Sequence, residues 1–288
     1  MHIFKHVMKE TNEMKKGTTI VMIFSLAVFL LSACIVLFQN RQEQQSADLF
    51  KELSDRLNVM VSAEAEAAQP AQPEQQPQLT SGLWPETDDP VLLAYRQQAV
   101  VQPDFVGWLR IDGTMVDYPV MRSPDEAERY LHRDFEGKYS RAGTPFMLPI
   151  SDPAIPNENI IIYAHHMKDG SMFGTLPKYE TKDAYDAQPY ITFDTLYERG
   201  TYKIIAVFRT SIGAPDEFPY YEYEWLDDEA AFNRFINGVM ANRLYDTGET
   251  AVYGDELLSL STCDYHEPNG RLVVVAKRIQ ETEENGNV

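Results

Sequence analysis

Cysteine is scarce in this chain: its 288 residues hold only Cys34 and Cys263. Cys34 lies inside an apolar run that Cys263 could hardly reach, which argues against a disulfide framework and leaves Cys263 as a free thiol. Positive charge is also short. The 25 Lys and Arg stand against 44 Asp and Glu, a formal net charge of −19. Phosphate backbones need clustered cations, so nucleic acid is excluded as a partner. No internal repeat is evident, which removes solenoids and propeller arrays. Cys263 and His266 make one Cys-x-x-His, but no second Cys or His pair stands at zinc spacing, so neither a metal nor another cofactor is expected. What remains is a hydrophobic content of 44%, ordinary for a domain folding around one core.

Between Lys16 and Arg41 no charged residue occurs, and residues 18–38 are mostly Ile, Val, Leu, Phe and Ala. This reads as a transmembrane helix able to cross roughly 30 Å of hydrocarbon. Lys5, Lys9, Lys15 and Lys16 precede it, which predicts a single-pass protein with a cytoplasmic stretch at 1–17 and everything after Asn40 outside the cell. A competing reading takes Leu31-Ser32-Ala33-Cys34 as a lipobox with a lipidated cysteine; the apolar residues Ile35 to Phe38 beyond it argue against cleavage there.

Residues 39–89 divide in two. Leu49, Leu53, Leu57 and Val61 recur at helical spacing, predicting an amphipathic helix, either a stalk or one lying on the domain or the membrane. The Pro, Gln and Ala of residues 63–81 then predict a linker. A catalytic domain is expected over 90–280, followed by an acidic tail at 281–288. The domain should open with a helix from Val91 to Ala99 and continue mainly as strand: Phe105 to Ile111, Met115 to Val120, Thr144 to Leu148, Asn159 to Ala164, Thr201 to Thr210, Glu256 to Thr262 and Arg271 to Ile279. About seven to eight such segments predict a mainly β barrel or sandwich. The long gap before the segment at Glu256 should hold a helix, because Phe232, Phe235, Ile236 and Val239 have helical spacing within residues 227–244.

The chemistry candidates sit at strand ends. Alternation from Leu257 to Cys263 puts Ser259, Ser261 and Cys263 on one face, and Asp264 to Gly270 reads as a turn into the strand opened by Arg271. If those strands form a hairpin, thiol and guanidinium are neighbours across it. A nucleophilic thiol needs a base or cationic neighbour, work suited to a histidine. Among six histidines, His165 ends an apolar strand and faces a loop, His166 should point the opposite way if the strand continues, and His132 and His266 read as solvated loop residues. An inert buried cysteine and a solvated edge arginine are the ordinary alternatives.

Ser259-Leu260-Ser261-Thr262-Cys263 resembles the TLxTC signature of sortases, and Tyr163-Ala164-His165-His166-Met167-Lys168-Asp169-Gly170-Ser171-Met172-Phe173-Gly174 is similar to the histidine segment of class B sortases. The resemblance runs from about Val91 to Ile279 and includes the helix-bearing insertion before the cysteine strand. Three features depart from it: Ser259 stands for the usual Thr, Ala164 for the usual Gly, and the turn from Cys263 to Arg271 is short for class B.

The resemblance implies a closed or nearly closed sortase-like β-barrel and a membrane-anchored cysteine transpeptidase. Cys263 would attack the carbonyl after the threonine of a C-terminal sorting signal on a secreted protein. Arg271 would hold the oxyanion, and His165 would protonate the leaving amine and later deprotonate the acceptor, an amine of the lipid-linked cell-wall precursor or of a pilin. Ser261, Tyr163 and Thr262 would contact substrate. The aromatic stretch Phe218 to Trp225 could line the signal groove or pack as core. Two rivals remain: a cysteine peptidase in which water replaces the amine, and a binding or scaffold protein whose cysteine is incidental.

Overall fold

The structure is a computed structural model that describes residues 2–67, 83–154, 159–226 and 228–279. Two compact units, residues 1–47 and 48–288, divide the chain within its first helix, α1 (His2–Ala67).

The transmembrane expectation for residues 18–38 is overturned. Among the described residues no helix is long and apolar enough to cross a membrane. The single-pass topology, the cytoplasmic assignment of 1–17, the extracellular placement of the catalytic domain and the membrane as a partner through this helix fall with it. Most of the expected linker and the acidic tail lie outside the described residues.

Within the second unit the expected amphipathic helix is observed, and of its placements it takes the one lying on the domain. Phe50, Leu53 and Leu57 are buried, and Phe50 meets Tyr118 edge-on at 5.4 Å. Helix α2 (Pro90–Val101) begins where Asp89 caps it, its carboxylate accepting from the Val91 N–H at 2.8 Å. Pro90 at the first turn costs no intrahelical bond.

Eight strands follow, β1 (Phe105–Arg110), β2 (Asp117–Arg122), β3 (Phe146–Met147), β4 (Asn159–Tyr163), β5 (Tyr190–Thr195), β6 (Thr201–Ser211), β7 (Leu257–Asp264) and β8 (Gly270–Ile279). Helix α3 (Lys182–Ala187) precedes β5, and α4 (Glu229–Asn242) lies between β6 and β7. The strands close into a barrel in the order β1-β2-β3-β4-β7-β8-β6-β5, so the mainly β, closed-barrel expectation holds. Pairing is antiparallel except for β2 with β3 and β4 with β7. Strand β5 is the one that the sequence pattern did not predict.

Two apolar layers fix which way the site faces. Ile162, Leu258, Leu260, Leu272 and Val274 fill the barrel interior with Leu109, Val120 and Phe193. The opposite faces of β4, β6, β7 and β8 present Ile161, Phe208, Leu257, Val273 and Val275 to α4, whose Phe232, Phe235, Ile236 and Val239 cover them. Coverage on both sides explains the unbroken apolar run from Leu272 to Ala276, since no position on that stretch meets water.

Candidate active site

Strand β7 sorts its side chains by period two. Leu258, Leu260 and Thr262 turn inward, while Ser259, Ser261 and Cys263 face the α4 side. Under that roof each polar group has a partner. The Ser259 hydroxyl donates to Asn159 Oδ1 at 3.0 Å, and Ser261 Oγ lies 2.6 Å from the Tyr220 hydroxyl. Cys263, at the end of the row, is partly exposed and reduced.

Across the hairpin Cys263 pairs directly with Arg271. The carbonyl of Ser261 accepts from the Ala164 N–H at 3.2 Å, so the odd-numbered backbone groups of β7 point toward β4. Cys263 and Arg271 therefore form a non-hydrogen-bonded pair, the kind in which opposed side chains come closest. The tight return is made possible by Asn269 at φ 56, a left-handed turn position that Asn tolerates. Gly270 follows, where a Cβ would strike the Asp264 carbonyl at 2.6 Å. Arg271 Nη1 donates to the Gly270 carbonyl at 2.9 Å and to the Asn269 carbonyl at 3.3 Å.

His165 arrives from β4. The parallel register ends at Tyr163 opposite Ser261, and His165 lies on the chain just beyond the end of β4. Its Nε2 lies 2.9 Å from the Leu131 carbonyl. A carbonyl only accepts, so Nε2 carries a proton and the neutral ring keeps its lone pair on Nδ1. The ring also stacks at 5.2 Å on His132, which is itself exposed as expected. Burial holds the His165 imidazole below its ordinary value; the Leu131 bond opposes this, and His132 and Arg141 add to it.

Ala164 does not occupy a left-handed conformation, so the family's usual glycine is not required there. His166 lies past the end of β4, where strand alternation no longer assigns its direction, and its Nδ1 lies 3.0 Å from the Cys263 carbonyl. The chain turns after Ala164, and the alternation ends with the strand.

The remaining expected substrate contacts separate. Tyr163 lies on the same face as Ser261, and its hydroxyl donates to Glu224 Oε1 at 3.2 Å. Thr262 is 2% exposed, and its hydroxyl is spent on the Ala164 carbonyl at 2.8 Å. Sequence reasoning missed Glu224 and Tyr220 as individuals, although it marked their aromatic stretch. Glu224 is buried, and burial raises its carboxyl to about 7 against a lowering bond from Tyr163. Phe218 and Tyr223 of the same stretch pack on Phe235 of α4, so the stretch is roof and polar lining at once.

Beyond Cys263 lies an ion-pair network. Arg209 reaches Glu180 at 2.6 Å and Asp264 at 2.9 Å. His266, read from the sequence as solvated, places Nδ1 2.5 Å from Asp264. Burial works against the Asp264 charge, but the bonds from His266 and the Arg209 charge hold its carboxyl below the usual range. Glu180, Asp264 and His266 bring one donor atom each within 4.8 Å of one another, but both carboxylates already pair with Arg209. A separate groove of about 500 Å³ is lined by Trp84, Val106, Arg122 and Tyr197; it shares no residue with the Cys263 surroundings.

A closed eight-stranded barrel that pairs a partly exposed thiol with an arginine across one hairpin, with a histidine just past the end of the neighbouring strand, has the architecture of a cysteine transpeptidase. The family profile described as Sortase domain matches residues 109–279. Sortase B of Listeria monocytogenes is 33% identical over 178 residues, covering 61% of this chain and 70% of that protein. A Staphylococcus aureus sortase B-substrate complex matches with a TM-score of 0.68 at 23% identity, covering 84% of this chain and 100% of that one. A sortase B in complex with triglycine matches with a TM-score of 0.67 at 23% identity, over 83% of this chain and 100% of that one. The chain belongs to the sortase family, in its class B, and is a cysteine transpeptidase.

Proposed function

We propose that residues 90–280 form the catalytic domain and that Cys263, His165 and Arg271 carry its reaction on a C-terminal sorting signal. Neutral His165 takes the Cys263 thiol proton, the thiolate attacks the carbonyl of the signal's threonine, the C–N bond breaks, and the departing amine takes that proton from the His165 imidazolium. Arg271 donates to the oxygen that bears the charge during attack; its planar fork and permanent charge suit that task. The product is a thioacyl enzyme. His165, then neutral, takes a proton from an incoming amine, whose nitrogen forms the new amide as the C–S bond breaks. One amide is exchanged for another, so no external energy source is needed.

The observation that supports this reading best is the direct cross-strand pairing of Cys263 with Arg271. Ser261 and Tyr163 lie on the same face and belong to the substrate wall in this reading; Thr262 braces the backbone instead. The donor is a secreted protein bearing the signal, as the solved substrate complex of the Staphylococcus aureus relative suggests. The acceptor is an amine of the lipid-linked peptidoglycan precursor. The triglycine complex of another sortase B makes a glycine peptide the acceptor to try first.

The test incubates the full chain with quenched fluorescent peptides carrying LPxTG, NPxTN or SPxTG signals, with and without triglycine. Cleavage after threonine and an amide product with triglycine, both lost in Cys263→Ala, support the reading. Free acid as the only product under saturating triglycine refutes the transfer step.

A further inference from the structure

The β4–β7 ladder stops at a telling place. Its last backbone rung is the Ala164 N–H to the Ser261 carbonyl at 3.2 Å. Beyond it the chain leaves the sheet, with the Phe173 N–H closing on the His165 carbonyl at 2.9 Å and Met172 at φ 52. Two carbonyls would otherwise lack a rung partner, and side chains supply both. Thr262 Oγ1 donates to the Ala164 carbonyl at 2.8 Å, and His166 Nδ1 donates to the Cys263 carbonyl at 3.0 Å.

The second of these bonds is reinforced from the far side of the thiol. The Tyr265 ring lies 5.0 Å from the His166 ring, and its hydroxyl donates to the His166 carbonyl at 3.1 Å. His166 thus holds the Cys263 carbonyl and Tyr265 two residues on, while its neighbour His165 is held by Leu131 and His132. Together with the Thr262 bond to the Ala164 carbonyl, this grip ties the histidine loop to the end of the cysteine strand.

We propose that His166 is a positioning residue: by fastening the Cys263 carbonyl to the residue after His165, it sets the separation of thiol and imidazole. The proposal rests on the reading of Cys263 and His165 as the reacting pair. A bond that only satisfied a carbonyl would contribute to stability and leave the rate alone. A bond that sets geometry acts on the chemical step, where a displacement of about 1 Å costs up to about 100-fold.

His166→Phe keeps a ring against Tyr265 and removes the donor. His166→Asn keeps a donor, because the Asn amide nitrogen falls near the place of Nδ1. In the full chain His166→Phe should lower kcat about 10- to 100-fold with KM within about twofold, and His166→Asn should restore most of that rate. Iodoacetamide labelling of Cys263, followed by peptide mapping so that Cys34 is not counted, reads the same geometry without any peptide substrate. Labelling should slow in His166→Phe toward the rate of His165→Ala and recover in His166→Asn.

A wild-type rate in His166→Phe overturns the proposal. So does an equal loss in both variants together with a lowered thermal midpoint, which would make the bond structural. If wild type cleaves no signal peptide, the functional reading has failed, and the labelling series still decides whether His166 positions the thiol.

Discussion

Cys263 and Arg271 face each other as a non-hydrogen-bonded pair across β7 and β8, on the outer face of the barrel beneath α4. With an oxyanion role for Arg271, Arg271→Ala should lower kcat about 100- to 1000-fold with little change in KM. Arg271→Lys should recover only part of that, because a point charge does not reproduce the planar fork. Steady-state kinetics on a cleaved signal peptide checks both. A Lys variant equal to wild type would leave Arg271 only a charge to contribute.

His165 gives a stability signature as well as a rate. Its pKa lies below the ordinary 6.5, chiefly through burial, so the folded protein binds that proton less readily than the unfolded chain. The corresponding stability is present above 6.5 and is lost as pH falls through the lowered value. Urea midpoints between pH 8 and pH 5 should therefore fall less in His165→Gln than in wild type, while its transfer activity drops at least about 100-fold. Parallel midpoint curves would show that the imidazole titrates alike in both states.

Glu224 predicts the opposite slope. Its carboxyl is raised from 4.5 to about 7 by burial, so its favourable contribution is complete below 4.5 and is lost as pH rises through about 7. Glu224→Gln, which can still accept from Tyr163, should gain stability relative to wild type as pH climbs from 5 to 8. Each tenfold difference in proton affinity between the folded and unfolded chain is worth about 1.4 kcal/mol, which bounds the gain. Denaturant titrations at the two ends of that range check it, and a constant difference would contradict it.

Tyr220 and Ser261 share a buried 2.6 Å hydrogen bond. Tyr220→Phe should cost about 1–2 kcal/mol, and Ser261→Ala a similar amount, with the double variant less than the sum. A double-mutant cycle on urea unfolding measures the coupling. Strict additivity would mean that the two hydroxyls do not hold each other.

Much of this arrangement is legible in the sequence where the signal is local. Alternation over Leu257 to Cys263 assigns faces without any knowledge of the fold, and a turn ending in Asn269-Gly270 returns the chain so that Arg271 meets Cys263. The helix expected within 227–244 is observed at Glu229–Asn242, because its apolar side is packed on a single sheet face. Strand β5 is harder to read. Its buried end includes Asp194 and Thr195, whose burial is tolerated through bonds such as the Gly200 N–H to the Asp194 carboxylate at 3.2 Å. The transmembrane reading rested on composition alone, and among the described residues no helix is long and apolar enough to cross a membrane.

The contacts that alternation missed are those made over long separations. His166 meets a carbonyl 97 residues away, and Glu224 meets Tyr163 across 61. Neither distance is written in a local pattern. Glu224 lies in an aromatic stretch whose core-packing rings concealed the polar role of its neighbours.

The central claim is that Cys263 forms an acyl bond that an amine resolves. The most direct measurement is the intact mass of the full chain after brief exposure to an excess of signal peptide without amine, followed by addition of triglycine. The account predicts a mass gain equal to the peptide fragment through threonine, mapped to Cys263, and its discharge by triglycine as a new amide. Turnover of the peptide with no adduct on Cys263, or turnover that persists in Cys263→Ala, would contradict it.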